Sequence, residues 1–144
     1  MKLVIQRVTK GGVSVDNQII GSINKGYVVL VGFRVGDSQK EITNMALKLV
    51  NLRIMPDRFG KMNLSILDVK GEILLVPQFT LYADTTSRRP GFTPSEKPEI
   101  ASKLFDQFVA AVKKAGLKVA NGKFGAYMQV EILNDGPVTI ILEN

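Results

Sequence analysis

The sequence predicts an α+β fold: a mostly antiparallel, barrel-like sheet with two packed helices, in a single domain spanning residues 1–144. Three observations predict it. Short apolar runs recur between Gly, Pro and Asx turns, the punctuation of strands. Only two segments keep apolar residues at helical spacing. A chain of 144 residues with 45% hydrophobic composition is long enough for one core and too apolar for disorder.

Leu3 to Val8 reads as a strand. Gly11-Gly12 is expected to turn it into Val13-Ser14-Val15, and Asp16-Asn17 to turn again into Gln18–Ile23. Tyr27 to Phe33 is apolar on both faces, so it is expected to be a central strand. These runs make an opening antiparallel meander. Asp37-Ser38 caps a helix from Gln39 to Asn51, with Ile42, Met45, Ala46, Leu49 and Val50 on one face. Leu52 to Met55 is extended, Pro56–Gly60 a turn, and Glu72 to Val76 a buried strand leading into Pro77-Gln78-Phe79-Thr80-Leu81. Strand alternation there puts Gln78 and Thr80 on one face, Phe79 and Leu81 on the other. Residues 83–94 form a polar loop broken by Pro90, Gly91 and Pro94. Ser95 is expected to cap a second helix running to Ala115, with Ile100, Leu104, Phe105, Phe108, Val109 and Val112 on its apolar face and Gly116 ending it. Val119, Tyr127–Leu133 and Val138–Leu142 complete the sheet.

Composition narrows the chemistry. There is no cysteine and no histidine, which removes disulfides, thiolate nucleophiles, Ser-His-Asp triads and most zinc sites. No metal site or cofactor is expected. No apolar run approaches the length of a membrane span, and Arg7 interrupts the amino-terminal apolar stretch, so a soluble cytoplasmic protein is expected. The net charge of +6 and a pI near 9.7 favour a polyanionic partner such as nucleic acid, or equally a solubilising lysine-rich surface.

Two short runs stand out. Proline at Pro77 removes a ladder donor just after a buried strand, leaving backbone groups free for a ligand or marking a bulged edge. Gly136-Pro137 separates two strand-like runs. On local pattern Asn134-Asp135-Gly136 is hairpin-turn chemistry; Gly-Pro also permits an edge or a cis bond.

Taken in order, Ile5-Gln6-Arg7-Val8, Asn51-Leu52-Arg53-Ile54, Gly60-Lys61-Met62-Asn63-Leu64-Ser65, Gln78-Phe79-Thr80-Leu81-Tyr82-Ala83-Asp84, Arg88-Arg89-Pro90, Phe124-Gly125-Ala126 with Met128-Gln129-Val130, and Gly136-Pro137 resemble the D-aminoacyl-tRNA deacylase family over essentially the whole chain. The resemblance implies a homodimer with shared active sites. It implies a tRNA-editing hydrolase that cleaves the ester between a D-amino acid and the 3′-terminal adenosine, removes glycine mischarged on tRNA-Ala, and spares L-aminoacyl-tRNA. It further implies that Gly136-Pro137 is a cis pair projecting into the other subunit's site, where its backbone excludes an L-side chain while a D-side chain points to solvent.

By the same resemblance Arg7 orients that dipeptide through backbone oxygen, although taken alone it reads as an exposed strand charge. Gln78-Phe79-Thr80 matches the pocket segment, with Gln78 and Thr80 at the catalytic positions, Phe79 walling the pocket and Met128 lining its adenosine end. Phe79 and Met128 also read as plain core packing. Thr80 lacks any histidine or cysteine partner as a base, so the simpler chemistry uses the substrate's own 2′-OH with protein dipoles. Arg88 and Arg89 are candidates for tRNA phosphates, or a solvated loop. Pro77 departs from the family's usual serine, whereas Phe79 and Val138 keep its D-specific pattern. The alternatives are a non-catalytic RNA- or nucleotide-binding protein on the same fold, and a hydrolase of small free esters or amides.

Overall fold

The computed structural model describes all 144 residues. Strand β1 (Lys2–Val15) is its spine. One edge of β1 pairs antiparallel with β3 (Gly26–Gly32) over Lys2–Val8 and with β2 (Gln18–Ile23) over Gly11–Val15. The other edge pairs with β8 (Gln129–Glu143) along nearly its whole length. The opening is therefore one long bent hairpin around Asp16-Asn17, both of which take positive φ, rather than a meander. Gly11-Gly12 does not turn. It stays in the ladder because a Cβ on Gly11 would lie 2.6 Å from Val28 Cγ2, so the glycine answers to close packing.

Beyond β3 the sheet runs parallel: β3 pairs β6 (Glu72–Pro77), and β6 pairs β7 (Val119–Asn121). Parallel neighbours need long crossovers, and the two helices supply them. Helix α1 (Gln39–Asn51) is closed by a capping box between Ser38 and Glu41. Helix α2 covers Pro98–Lys113. It begins two residues later than a Ser95 cap predicts, because Pro98 fixes the first helical position and Ser95 is engaged elsewhere. That shift leaves Ile100 exposed and puts Ala101 in the core. A two-stranded finger, β4 (Met55–Pro56) and β5 (Met62–Leu64), stands apart from the main sheet.

The central strands bury both faces, as their continuous apolar runs predict. Tyr27, Val29, Val31, Ile73 and Leu75 pack under the helices with Ile42, Leu49, Phe105 and Phe108. Val28, Leu74 and Val76 face the other way, into a smaller cluster with Val8, Val13 and Ile23. That cluster fills the inside of a nearly closed sheet: a Cβ on Gly21 of β2 would sit 3.3 Å from Ala120 Cβ of β7. No helix is long and apolar enough to cross a membrane.

Candidate active site and the Gly136-Pro137 bulge

Strand β6 ends where Pro77 removes a donor. Gln78 N still donates to Val31 O at 2.8 Å, and then the chain curls. Residues 79–82 form a 3-10 turn, not the continuing strand that alternation predicts. Its first bond runs from Leu81 N to Gln78 O, so the N–H groups of Phe79 and Thr80 precede the ladder of the turn and stay free of it. Gln78 and Thr80 nevertheless remain neighbours, Gln78 Nε2 donating to Thr80 Oγ1 at 2.5 Å. Ser95 Oγ donates to Phe79 O at 2.9 Å and pins the turn from outside. Phe79 meets Phe92 edge to face, ring centres 5.0 Å apart, so it is a rim residue rather than core.

Gln78, Phe79, Phe92 and Ser95 border a cleft of about 830 Å³, and Thr80 lies just outside its lining. Pro77, Gln78 and Phe79 form one side, Phe124 to Met128 the other, and Phe33, Ala101 and Pro98 close it from the helix side. Its lining is mostly apolar, with Glu96 and Lys97 the charged groups on its margin. Met128 lines the cleft and packs over Gly122: a Cβ there would lie 2.7 Å from Met128 Sδ and 3.4 Å from Pro77 Cδ. Thr80 is exposed, and its hydroxyl accepts from an amide instead of facing a base.

Gly136-Pro137, Arg7, Arg88 and Arg89 do not line this cleft. The Gly136-Pro137 bond is cis, and the pair interrupts no hairpin. It is an outward bulge within β8. Leu133 pairs with Lys10 and Thr139 with Gln6, with register shifts on either side of Val8. A hairpin is ruled out because both flanks of the pair continue along the same strand, β1. Arg7 is buried, 8% exposed, not the surface charge its polarity suggests. Its Nη1 donates to Ile54 O at 2.8 Å and its Nε to Asp135 O at 3.0 Å, with Asp135 Oδ2 at 3.2 Å. A Cβ on Gly136 would meet Val138 Cγ2 at 2.9 Å and Arg7 Nη2 at 3.3 Å, and Gly136 holds φ at +131°. The dipeptide is thus braced by its neighbours and exposed on its outer side.

Arg88 and Arg89 lie on an exposed loop closed by paired bonds between Asp84 and Gly91, at 2.8 and 2.9 Å. Sequence reading missed Gly122, Ser95 and Phe92. Asn121-Gly122-Lys123 looks like any turn, and the partners of Ser95 and Phe92 are distant in sequence.

A family profile described as D-Tyr-tRNA(Tyr) deacylase matches residues 4–143. Two curated relatives, each a D-aminoacyl-tRNA deacylase, come from Thermoanaerobacter sp. (52% identical, 100% of this chain and 97% of the relative) and Aquifex aeolicus (50% identical, 100% and 98%). A solved structure of a c-Myc DNA unwinding element binding protein superposes with TM-score 0.94 at 42% identity over 100% of this chain and 99% of that one. Another, described as a probable eukaryotic D-amino acid tRNA deacylase, shares the fold at TM-score 0.88 and 17% identity, covering 98% and 97%. With a whole-length profile and half of its residues shared with full-length relatives, this chain belongs to the D-Tyr-tRNA(Tyr) deacylase family.

Proposed function

We propose that this protein hydrolyses D-aminoacyl-tRNA in the cytoplasm, releasing free D-amino acid and tRNA, passes glycyl-tRNA mischarged on tRNA-Ala, and rejects L-aminoacyl-tRNA. The observation that carries the reading is Gly136-Pro137. It is an exposed pair, clamped by a buried arginine, that serves no part of its own cleft. The reading supplies its use: a second copy donates the pair as a backbone wall over the cleft of the first. Strand β8 supports such a dimer, because its outer edge is unpaired and carries exposed Leu133 and Ile141, 57% and 63% exposed. Selection is by exclusion, since backbone cannot rotate aside as a side chain can.

The chemistry follows from the residues at hand. The terminal adenosine lies along Met128, and the aminoacyl ester reaches Gln78-Phe79-Thr80. Water attacks the ester carbonyl, and the oxyanion is held by the free N–H groups of Phe79 and Thr80. Because no histidine is available, the substrate's 2′-OH assists the attack and the 3′-oxygen leaves with a proton. Thr80 acts as a positioning partner of Gln78. Pro77 offers no hydroxyl to substrate, which bears on rate and side-chain scope. Arg88 and Arg89 meet tRNA phosphates.

A second reading is binding without turnover; the DNA-binding name of the 42%-identical structure favours it. Deacylation of matched D-, L- and glycyl-tRNA, each repeated with a 2′-deoxy terminal adenosine, separates the two. Cleavage of the D- and glycyl-substrates alone, lost with the 2′-deoxy end, is expected. Tight tRNA binding with no cleavage of any substrate would replace the first reading with the second.

A further inference from the structure

The β4–β5 finger is anchored at its base by Met55, buried in the main core, with Leu64 packed against it, and it has a built, exposed tip. Asp57 organises it: Oδ1 accepts the N–H of Phe59 at 2.9 Å and of Lys61 at 3.1 Å, and Oδ2 accepts Asn63 Nδ2 at 3.3 Å. Asp57 N donates to Lys61 O at 2.8 Å, and Gly60 closes the turn at φ +76°. Arg53 braces the far strand through Asn63, its Nε donating to the Asn63 carbonyl at 2.6 Å. The one carboxylate of the tip is turned onto backbone amides. Two cations, Arg58 and Lys61, are left facing solvent. Phe59 is 71% exposed beside them, with the Arg58 guanidinium 4.6 Å from its ring centre. Apart from this contact with Arg58, the exposed Phe59 ring contributes little to the fold.

The finger shares a root with the dipeptide. Ile54 and Asp135, the two carbonyls that Arg7 holds, immediately precede Met55 and Gly136. Finger and Gly136-Pro137 leave the molecule from one guanidinium clamp.

We infer that this finger is an RNA contact. Arg58 and Lys61 meet backbone phosphates of the acceptor arm of tRNA, and the Phe59 ring stacks on an unpaired nucleotide. The inference rests on the deacylase reading above: a finger rooted beside the donated wall overhangs the partner's cleft and touches the tRNA whose 3′ end lies in it. The surface is cationic and aromatic, as a polyanion with exposed bases requires, in contrast to the mostly apolar cleft.

The test compares KM for D-aminoacyl-tRNA with KM for D-aminoacyl-adenosine, which lacks the phosphates, in wild type, R58A/K61A, the charge-keeping R58K/K61R, and F59A. R58A/K61A is expected to raise KM for the tRNA only. Two lost phosphate contacts lower the salt slope by about two, so from about 50 to 200 mM salt the wild-type KM climbs roughly tenfold more than that of the variant. R58K/K61R is expected to follow wild type. F59A is expected to raise KM for the tRNA about tenfold with no change in salt slope. An unchanged tRNA KM and slope in R58A/K61A, with wild type active, would overturn the inference and leave the deacylase reading standing. Equal rises on both substrates would overturn it too, by placing the finger's effect in the cleft. If wild type cleaves nothing, the deacylase reading falls by itself, and tRNA gel shifts of the same variants decide the finger: unchanged binding rejects it.

Discussion

Removing the Arg7 guanidinium tests the clamp directly. Arg7→Met keeps an apolar stem of similar length and deletes the fork. Two carbonyls, Ile54 O and Asp135 O, lose a charged donor at 2.8 and 3.0 Å in a place that is 8% exposed. Bonds from a charged group are worth about 1.5–3 kcal/mol each, so the loss of two is about 3–6 kcal/mol. The pairing with the half-exposed Asp135 carboxylate adds no more than about 1 kcal/mol. A domain of this size has about 5–15 kcal/mol in all, so the variant stays folded but visibly weakened. In urea, with a slope of about 2 kcal/mol per molar, the midpoint falls by about 2 M. The same variant frees the Asp135 carbonyl next to Gly136, so the ratio of D- to L-aminoacyl-tRNA cleavage is expected to drop as the midpoint does. A midpoint shift below about 0.5 M would refute the assignment of those two bonds as a clamp. A full shift with an unchanged D/L ratio would refute the link between clamp and chiral rejection.

Gly122→Ala is expected to push Met128 into the cleft, raising KM for D-aminoacyl-tRNA severalfold while the urea midpoint moves by less than about 1 M, since the obstructing atom is a flexible sulfur. Gly136→Ala places a Cβ against Val138 and Arg7 at a positive φ; it is expected to cost about 1–2 kcal/mol in unfolding and to erode D/L discrimination in tRNA assays. Thr80→Ala is expected to retain much of its single-turnover rate; total loss with tRNA binding intact would make Thr80 a catalyst. Backbone N–H bonds, to Phe59, Ser65 and Thr86 respectively, hold Asp57, Asp68 and Asp84 below the ordinary aspartate range. The folded state therefore takes up these protons less readily than the unfolded chain. Their stabilisation is complete above about pH 4 and is lost as pH falls through the depressed values, which urea midpoints measured from pH 6 to 2 will trace.

The sequence carried most of the framework because local signals and packing agreed there. Ser38 and the spacing from Ile42 to Val50 define α1 on their own, and the apolar run from Tyr27 needs cover on both faces. Where a residue serves a distant partner, local reading failed. Ser95 looks like a cap but reaches Phe79, and Gly11-Gly12 looks like a turn but makes room for Val28. Gly136-Pro137 has the chemistry of a hairpin, and only its pairing with β1, over 120 residues away, makes it a bulge. The site divided in the same way. Gln78, Phe79, Pro77 and Met128 come together around one cleft, whereas Arg7, Gly136 and Pro137 assemble elsewhere, because the bulge is set by pairing with β1 and by the Arg7 hydrogen bonds rather than by any local pattern.

The pairing of Lys2 with Glu143 has a consequence for how the protein is made. Strand β8 is the last element in chain order and occupies a full edge of the first. During synthesis the opening strand must therefore wait, with an unsatisfied edge open to other chains, until nearly everything else has left the ribosome. The same closing segment brings Gly136-Pro137. Assembly thus couples completion of the sheet to arrival of the Arg7-clamped bulge, so a molecule arrested before β8 keeps an open, aggregation-prone edge and leaves the Arg7 guanidinium without the Asp135 carbonyl.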